Sequence, residues 1–211
     1  HKTDTIINES LVQNMTQEQL YLNLNALWKN FCISDTYEPG SVAKPFTVAA
    51  ALETGAITGN EVYQCNGYLM KGGHRINCHV RYGEGAITVE SAIARSCNVA
   101  LMHIGEALGA ERFGNFQQIF NFGLKTNIDL AGDQMKESDL AVSTFGQGFN
   151  VTMIQMITGF SALINGGYYY EPHMVSKITD AGGATVKTIA PRVLKQVVSQ
   201  TTSEKIRQYC R

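Results

Sequence analysis

A mostly helical domain carrying a small β-hairpin is what this sequence predicts, and three observations predict it. Apolar residues recur at helical spacing in several segments. Polar capping residues and glycine or proline breaks bound most of those segments. Near the end, short β-prone runs flank an Asp180-Ala181-Gly182-Gly183 turn. With 211 residues and 44% hydrophobic content, the chain fits one large domain or a piece of one, with enough apolar surface for a substantial core.

Asn14 or Thr16 can cap a first helix through Trp28, with Leu20, Leu24 and Leu27 on one face. Asp35 to Gly40 reads as a loop, because Pro39 and Gly40 break regular structure. A second helix runs from Ser41 to about Glu53 and stops at Gly55. Pro45 is tolerated there because its missing N–H falls in the first turn. Apolar residues cover nearly the whole circumference of this helix, from Phe46 to Leu52, so it belongs at the centre of the domain.

Asn60 to Gly85 reads as a glycine-rich loop or hairpin. Thr88 then caps a short helix to Arg95, and another helix spans roughly Val99 to Leu108 before Gly109. An amphipathic helix from about Ala110 to Phe122 leads into Asn127-Ile128-Asp129-Leu130 and a polar linker. Thr144 to Asn150 forms a glycine-bracketed loop, after which Thr152 caps a helix to Asn165. Tyr168 to Tyr170, His173 to Thr179 and Ala184 to Ile189 supply the hairpin, and one or two short helices finish the chain. Neither an internal repeat nor a low-complexity tract is visible.

The formal net charge is −1, with 17 basic and 18 acidic residues spread without long runs. That balance gives no electrostatic reason to expect nucleic acid or an anionic membrane as ligand, and favours small or peptide-like substrates. Apolar stretches such as Phe46 to Leu52 fall far short of the roughly 18 residues that cross a bilayer. No signal peptide or anchor is read here, and without an initiator methionine the chain is expected to be an excised segment.

Five cysteines, Cys32, Cys65, Cys78, Cys97 and Cys210, are an odd number, and sequence does not give their connectivity. Cys65 and Cys78 bracket a polar stretch that also holds His74 and His79, which leaves a zinc site, a loop-closing disulfide and reduced thiols all open. The spacing matches no strong ligand pattern, so the expectation is no metal and no cofactor.

The informative chemistry lies in Ser41-Val42-Ala43-Lys44. Positions i and i+3 share a helix face, so the Lys44 amine is expected to reach the Ser41 hydroxyl and, if neutral, to take its proton as the oxygen attacks a carbonyl. Ser41 at a helix N-terminus would have unpaired N–H groups and the positive dipole end beside a developing negative charge. Burial of Lys44 would lower its pKa toward the range useful for a base. The rival reading makes Ser41 an N-cap and lets Lys44 snorkel to solvent. Ser96-Cys97-Asn98 is a second cluster, on the tight turn between two helices. Its hydroxyl and its amide, two residues apart, can face one cavity, the hydroxyl relaying protons and the amide gripping a substrate amide. Here the rival reading is again a helix cap.

Taken together, Tyr37-Glu38-Pro39-Gly40-Ser41-Val42-Ala43-Lys44-Pro45-Phe46-Thr47, Ala94-Arg95-Ser96-Cys97-Asn98-Val99-Ala100-Leu101 and Phe145-Gly146-Gln147-Gly148-Phe149-Asn150-Val151-Thr152 resemble the transpeptidase domain of class B penicillin-binding proteins. Asn127 to Leu130 falls between the last two blocks, and the resemblance covers nearly the whole chain. Ser-x-x-Lys, Ser-x-Asn and Lys-Thr-Gly are the signature motifs. The resemblance implies an α+β fold of the penicillin-binding protein and serine β-lactamase kind, with 1–211 a single partial transpeptidase domain. It implies Ser41 as acylated nucleophile, Lys44 as proton acceptor, Ser96 as proton shuttle and Asn98 as the group that holds the substrate backbone. Gln147 and its flanking glycines match a segment expected to be structural. Ala43 stands where a large residue is common, a departure in packing rather than chemistry.

A larger departure is that no Lys, Arg or His is followed by Ser or Thr and then Gly: Lys125-Thr126 runs into Asn127, and Lys187-Thr188 into Ile189. In the family that motif supplies carboxylate recognition and one oxyanion donor, and losing such a donor costs about two to three orders of magnitude in rate. The strands that carry it, and the strands ahead of the first helix, are expected to lie outside a truncated chain.

The activity implied is a serine D,D-transpeptidase of cell-wall peptidoglycan synthesis. It would take a stem peptide ending in D-Ala-D-Ala, form an acyl-enzyme at Ser41 and pass the acyl group to an amine, and β-lactams would acylate the same serine. The whole protein is expected at the extracytoplasmic face of the bacterial membrane, anchored there and associated with the synthesis machinery. A penicillin-recognising sensor or a non-catalytic scaffold of the same fold is the alternative. A serine β-lactamase fits less well, because no Glu-x-x-Leu-Asn follows Ser96, and positions 96 and 98 differ from those expected of the other serine β-lactamase classes.

Overall fold

The computed structural model describes residues 15–122 and 137–211. Thr16 forms a capping box with Gln19 and opens α1 (Gln17–Trp28), as its sequence predicts. Asn30 caps a single-turn helix, α2 (Phe31–Ser34), which precedes β1 (Thr36–Tyr37). The segment expected as a plain loop therefore contains a short strand, paired antiparallel with β6 (Val151–Thr152).

Gly40, at φ +59°, then turns the chain into a 3₁₀ turn (Gly40–Ala43), and only from Lys44 does α3 (Lys44–Glu53) begin. Ser41 thus sits one turn outside the α-helix in which it was expected. Pro45 falls in the first turn of α3, and Gly55 follows its end at φ +69°. Every residue of α3 from Lys44 to Ala51 is buried.

Of the two readings of Asn60 to Gly85, glycine-rich loop or hairpin, the structure takes the hairpin and adds a second ladder around it. β2 (Val62–Cys65) pairs antiparallel with β5 (Gly85–Thr88), and the hairpin of β3 (Tyr68–Lys71) and β4 (His74–Asn77) is nested between them. Thr88 caps α4 (Val89–Ala94), after which come α5 (Asn98–Leu108) and α6 (Ala110–Ile119). α6 stops one turn before Phe122, with Asn121 in the left-handed region at φ +60°. Asn127 to Leu130 lies outside the described residues. Part of the expected polar linker is helical, as α7 (Glu137–Ser143).

Thr152 caps α8 (Met153–Ile164) with a second capping box, to Gln155. The tyrosines of β7 (Tyr168–Tyr170) were expected in the hairpin. That hairpin consists of β8 (Lys177–Thr179) and β9 (Thr185–Thr188) alone, while β7 pairs with β10 (Val193–Gln196). Burying Tyr169 at 3% exposure needs a partner strand on the core, and the exposed hairpin cannot supply one. A single helix, α9 (Gln200–Tyr209), ends the chain under a Ser199 cap. The described strands form five separate two-stranded ladders beside the helices, an α+β arrangement with more strand than the single expected hairpin.

The core forms around α3, which packs most extensively on α5, with α9, α6 and α8 around it. Three successive alanines, Ala49 to Ala51, let those neighbours approach closely. Phe46 anchors the other end of the helix, its ring meeting Phe120 at 4.9 Å and Phe122 at 5.0 Å edge-on. Such aromatic pairs contribute about 0.5–1.5 kcal/mol each beyond area burial. Among the described residues no helix is long and apolar enough to cross a membrane.

Candidate active site

Three segments distant in sequence supply the site: the 3₁₀ turn with the head of α3, the turn between α4 and α5, and the loop between α7 and β6. The first is held by the third. Gly40 donates its N–H to the Gly146 carbonyl at 2.9 Å, and Gly148 donates to the Glu38 carboxylate at 2.9 Å. Gly146 has φ +88°, and a Cβ there would lie 2.0 Å from the Gly40 carbonyl oxygen. Glycine is therefore required by both the backbone conformation and the close approach. Gly146→Ala should destabilise the protein by at least the roughly 1–3 kcal/mol of a strained φ, and should displace the turn bearing Ser41. A melting temperature equal to that of the unaltered protein, with unchanged acylation, would contradict this.

Lys44 is 2% exposed, and its ammonium does not reach solvent as the snorkelling reading required. Its Nζ donates to the Ser96 hydroxyl and to the Ser96 carbonyl oxygen, both at 2.6 Å. The Ser96 hydroxyl in turn donates to the Ser41 hydroxyl at 2.7 Å. The expectation that Lys44 bonds Ser41 directly is corrected here: Ser96, from 52 residues further along the chain, stands between them. With Ser41 on the 3₁₀ turn, its hydroxyl faces the α4–α5 turn. Burial lowers the Lys44 pKa from 10.5 to about 8, against the opposing pull of Cys78, Cys97 and Glu84.

Ser96 has φ +57°, a left-handed conformation that side chains other than glycine and asparagine rarely adopt. The turn imposes it: Ser96 donates its N–H to Ile93 and Cys97 to Ala92, so the chain reverses within one residue and points both the Ser96 hydroxyl and its carbonyl at Lys44. Ser96→Gly should relieve this strain while Ser96→Ala keeps it. The glycine variant should therefore be the more stable by about 1 kcal/mol, with both variants losing acylation alike. Thermal unfolding of the pair, beside their acylation rates, checks it; equal stabilities would show that the turn is not strained.

Asn98 is the first residue of α5, and its side-chain amide donates to the Asn77 carbonyl at 3.3 Å. It lines an open groove of about 390 Å³ together with Ser41, Gly40, Arg75, Asn77 and Gln147. Ser41, Lys44, Ser96 and Asn98 are thus brought into one place, with the Ser41 hydroxyl exposed at the groove. Gln147 stands on the same rim, where sequence expected a structural role. Arg75 and Asn77 were not foreseen. They reach the groove because the β3–β4 hairpin folds over the start of α5, a placement no local spacing announces. The guanidinium of Arg75 lies 3.9 Å from the centre of the Tyr68 ring.

A hydroxyl, a relay hydroxyl and a buried amine can carry out acyl transfer. When Lys44 is charged the hydrogen bonds run from Lys44 through Ser96 to Ser41. When it is neutral both hydroxyls can turn, and a proton leaving Ser41 has a path to Nζ.

Comparisons with known proteins place the chain in a family. The family model described as "Penicillin binding protein transpeptidase domain" matches residues 7–210. Stage V sporulation protein D of Bacillus subtilis is 36% identical over 190 residues, which cover 85% of this chain and 29% of that protein. The peptidoglycan D,D-transpeptidase FtsI of Escherichia coli is 29% identical over 159 residues, 71% of this chain and 26% of that protein. Among solved structures, penicillin binding protein 3 of Mycobacterium tuberculosis, complexed with aztreonam, superposes with a TM-score of 0.71 at 27% identity. That match covers 85% of this chain and 42% of the other. The chain therefore spans less than a third of the length of these two curated relatives.

Proposed function

Because the chain belongs to the class B penicillin-binding protein transpeptidases, we propose that it carries the nucleophile of a serine D,D-transpeptidase acting on peptidoglycan stem peptides. One observation carries the reading above the rest: the unbroken hydrogen-bond chain from buried Lys44 through Ser96 to the exposed Ser41. Ser41 Oγ attacks the carbonyl between the two D-alanines while its proton passes through Ser96 to Lys44. Collapse of the tetrahedral intermediate breaks the peptide bond, and Lys44 returns the proton through Ser96 to the departing D-alanine amine. An acceptor amine then attacks the Ser41 ester and gives up its proton along the same path. Asn98 holds the stem-peptide backbone in the groove. The Gly40 N–H is held by Gly146, so the backbone N–H of Ser41 itself is the donor this turn would offer the developing oxyanion.

A β-lactam presents a strained amide to the same hydroxyl and is therefore a second acyl donor. That a relative's structure is described with aztreonam bound supports this part of the reading. Residues 1–211 act, in this proposal, as one part of a transpeptidase domain. The whole protein is membrane-anchored, works at the extracytoplasmic face and associates with the cell-wall synthesis machinery.

The test is to incubate the intact protein with fluorescent penicillin, map the adduct by peptide mass, and then supply a D-Ala-D-Ala stem peptide with an amine acceptor. An adduct on Ser41 together with D-alanine release and a new amide is expected. An adduct at another residue would overturn the nucleophile assignment. Labelling without amide formation would leave a penicillin-recognising sensor instead.

A further inference from the structure

We infer that Cys65, Cys78 and Cys97 form the core of a binding site for a thiophilic divalent cation, Zn²⁺ above all, behind the catalytic groove. The three sulphurs come from the end of β2, the segment after β4 and the α4–α5 turn, and their Sγ atoms lie within 4.8 Å of one another. All three are buried, at 1%, 2% and 0% exposure, and all are free thiols. Sequence spacing suggested only the pair Cys65 and Cys78 with His74 or His79. The fold replaces His74 with Cys97, from the middle of Ser96-Cys97-Asn98.

The dimensions fit the ion. Tetrahedral zinc with Zn–S near 2.3 Å sets its sulphurs about 3.8 Å apart and a sulphur and an imidazole nitrogen about 3.6 Å apart. Cys78 Sγ lies 3.9 Å from Cys97 Sγ and 3.7 Å from His79 Nδ1. The fourth donor comes from His79 or Glu84, which with Cys78 form a second cluster, again within 4.8 Å.

Glu84 supplies an independent sign. Its side chain is 6% exposed, one oxygen lies 3.5 Å from Arg95, and the other, Oε1, is buried without a hydrogen-bond partner. An unsatisfied buried carboxylate oxygen costs several times what a surface one does, and a cation beside it removes that cost. His79 is exposed, which opens a path from solvent to the thiols. Backbone N–H groups of Val80, Asn98 and Val99 lie near the Cys78 sulphur, where they would steady a metal-bound thiolate.

Binding is written Zn²⁺ plus three thiols giving a tris-thiolate complex and three protons released to solvent. The complex carries one net negative charge before its fourth donor. The bound ion ties the turn that bears Ser96 and Asn98 to both β-ladders of the 62–88 region.

The intact protein, with Cys32 and Cys210 changed to serine, is reduced under anaerobic conditions and titrated with Co²⁺ and then Zn²⁺. A thiolate-to-cobalt charge-transfer band saturating at one equivalent and displaced by Zn²⁺ is expected. Cys78→Ser should weaken binding by more than the roughly 10–100-fold that even outer-shell changes cost. X-ray absorption at the zinc edge, which needs no further variant, should give three sulphur neighbours. No band while the three thiols remain free would overturn the proposal. So would a band that survives Cys78→Ser, fewer than three sulphur neighbours, or a Cys78–Cys97 disulfide that forms despite equimolar Zn²⁺.

Discussion

Ser41→Ala should abolish covalent labelling by penicillin and leave the fold unharmed. The hydroxyl is exposed at the groove, and it accepts a hydrogen bond from Ser96 at 2.7 Å. Removing one exposed acceptor costs at most about 0.5–1.5 kcal/mol, and less where water can take its place. The chemistry has no such substitute. Among the described residues no other hydroxyl combines exposure to the groove with a hydrogen-bond path to a buried amine, apart from Ser96, which is turned toward Lys44 by its strained backbone. In a serine protease, removal of the nucleophile lowers turnover by about six orders of magnitude. The acylation rate of the alanine variant should fall to the background of free penicillin hydrolysis. Its melting temperature should stay within a few degrees of the unaltered protein. An ester adduct that persists in the variant would remove Ser41 from the mechanism, whereas a collapsed melting temperature would mean that the variant reports on folding instead.

Much of this arrangement is legible in the sequence, and the legible parts share a cause. Thr16, Thr88 and Thr152 cap their helices as the sequence predicts, because capping is settled within three or four residues. α3 is recognisably central because an apolar surface all round admits no other position. The candidate site residues Ser41, Lys44, Ser96 and Asn98, which the fold brings together, could be named, but the order of their hydrogen bonds could not. That order depends on a 3₁₀ turn where an α-helix was expected, and on a 52-residue separation between Lys44 and Ser96. The same holds for the tyrosines of β7, whose partner strand is set by burial of Tyr169 rather than by a local turn. Cys97 joins Cys65 and Cys78 only once α5 is docked. Pairings fixed by docking leave no spacing in the sequence to read.

Lys44 is expected to show both sides of its burial when replaced by methionine, a side chain of similar length that cannot accept a proton. Loss of a positioned base lowers rates by about 10²–10⁴-fold, so acylation should fall by that factor. In the unaltered protein the rate should climb with pH and level off above about 8, where the amine is neutral. In Lys44→Met that rise should vanish, because the group that titrates is gone.

Stability should move the other way. The unfolded chain keeps this proton up to about pH 10.5 and the folded protein only up to about 8, so between these values the unfolded state binds more protons. Raising the pH through that window therefore favours folding. Below it, keeping a charged amine buried costs on the order of 3 kcal/mol. Lys44→Met escapes that cost and should be the more stable protein below pH 8, by up to about 3 kcal/mol, with the advantage shrinking as the pH rises. Denaturant unfolding across the pH range, beside acylation rates, measures both. A methionine variant that acylates normally would remove Lys44 as the base. One that is less stable at every pH would show that Ser96 fully compensates the buried charge, leaving the lysine nothing to gain by giving up its proton.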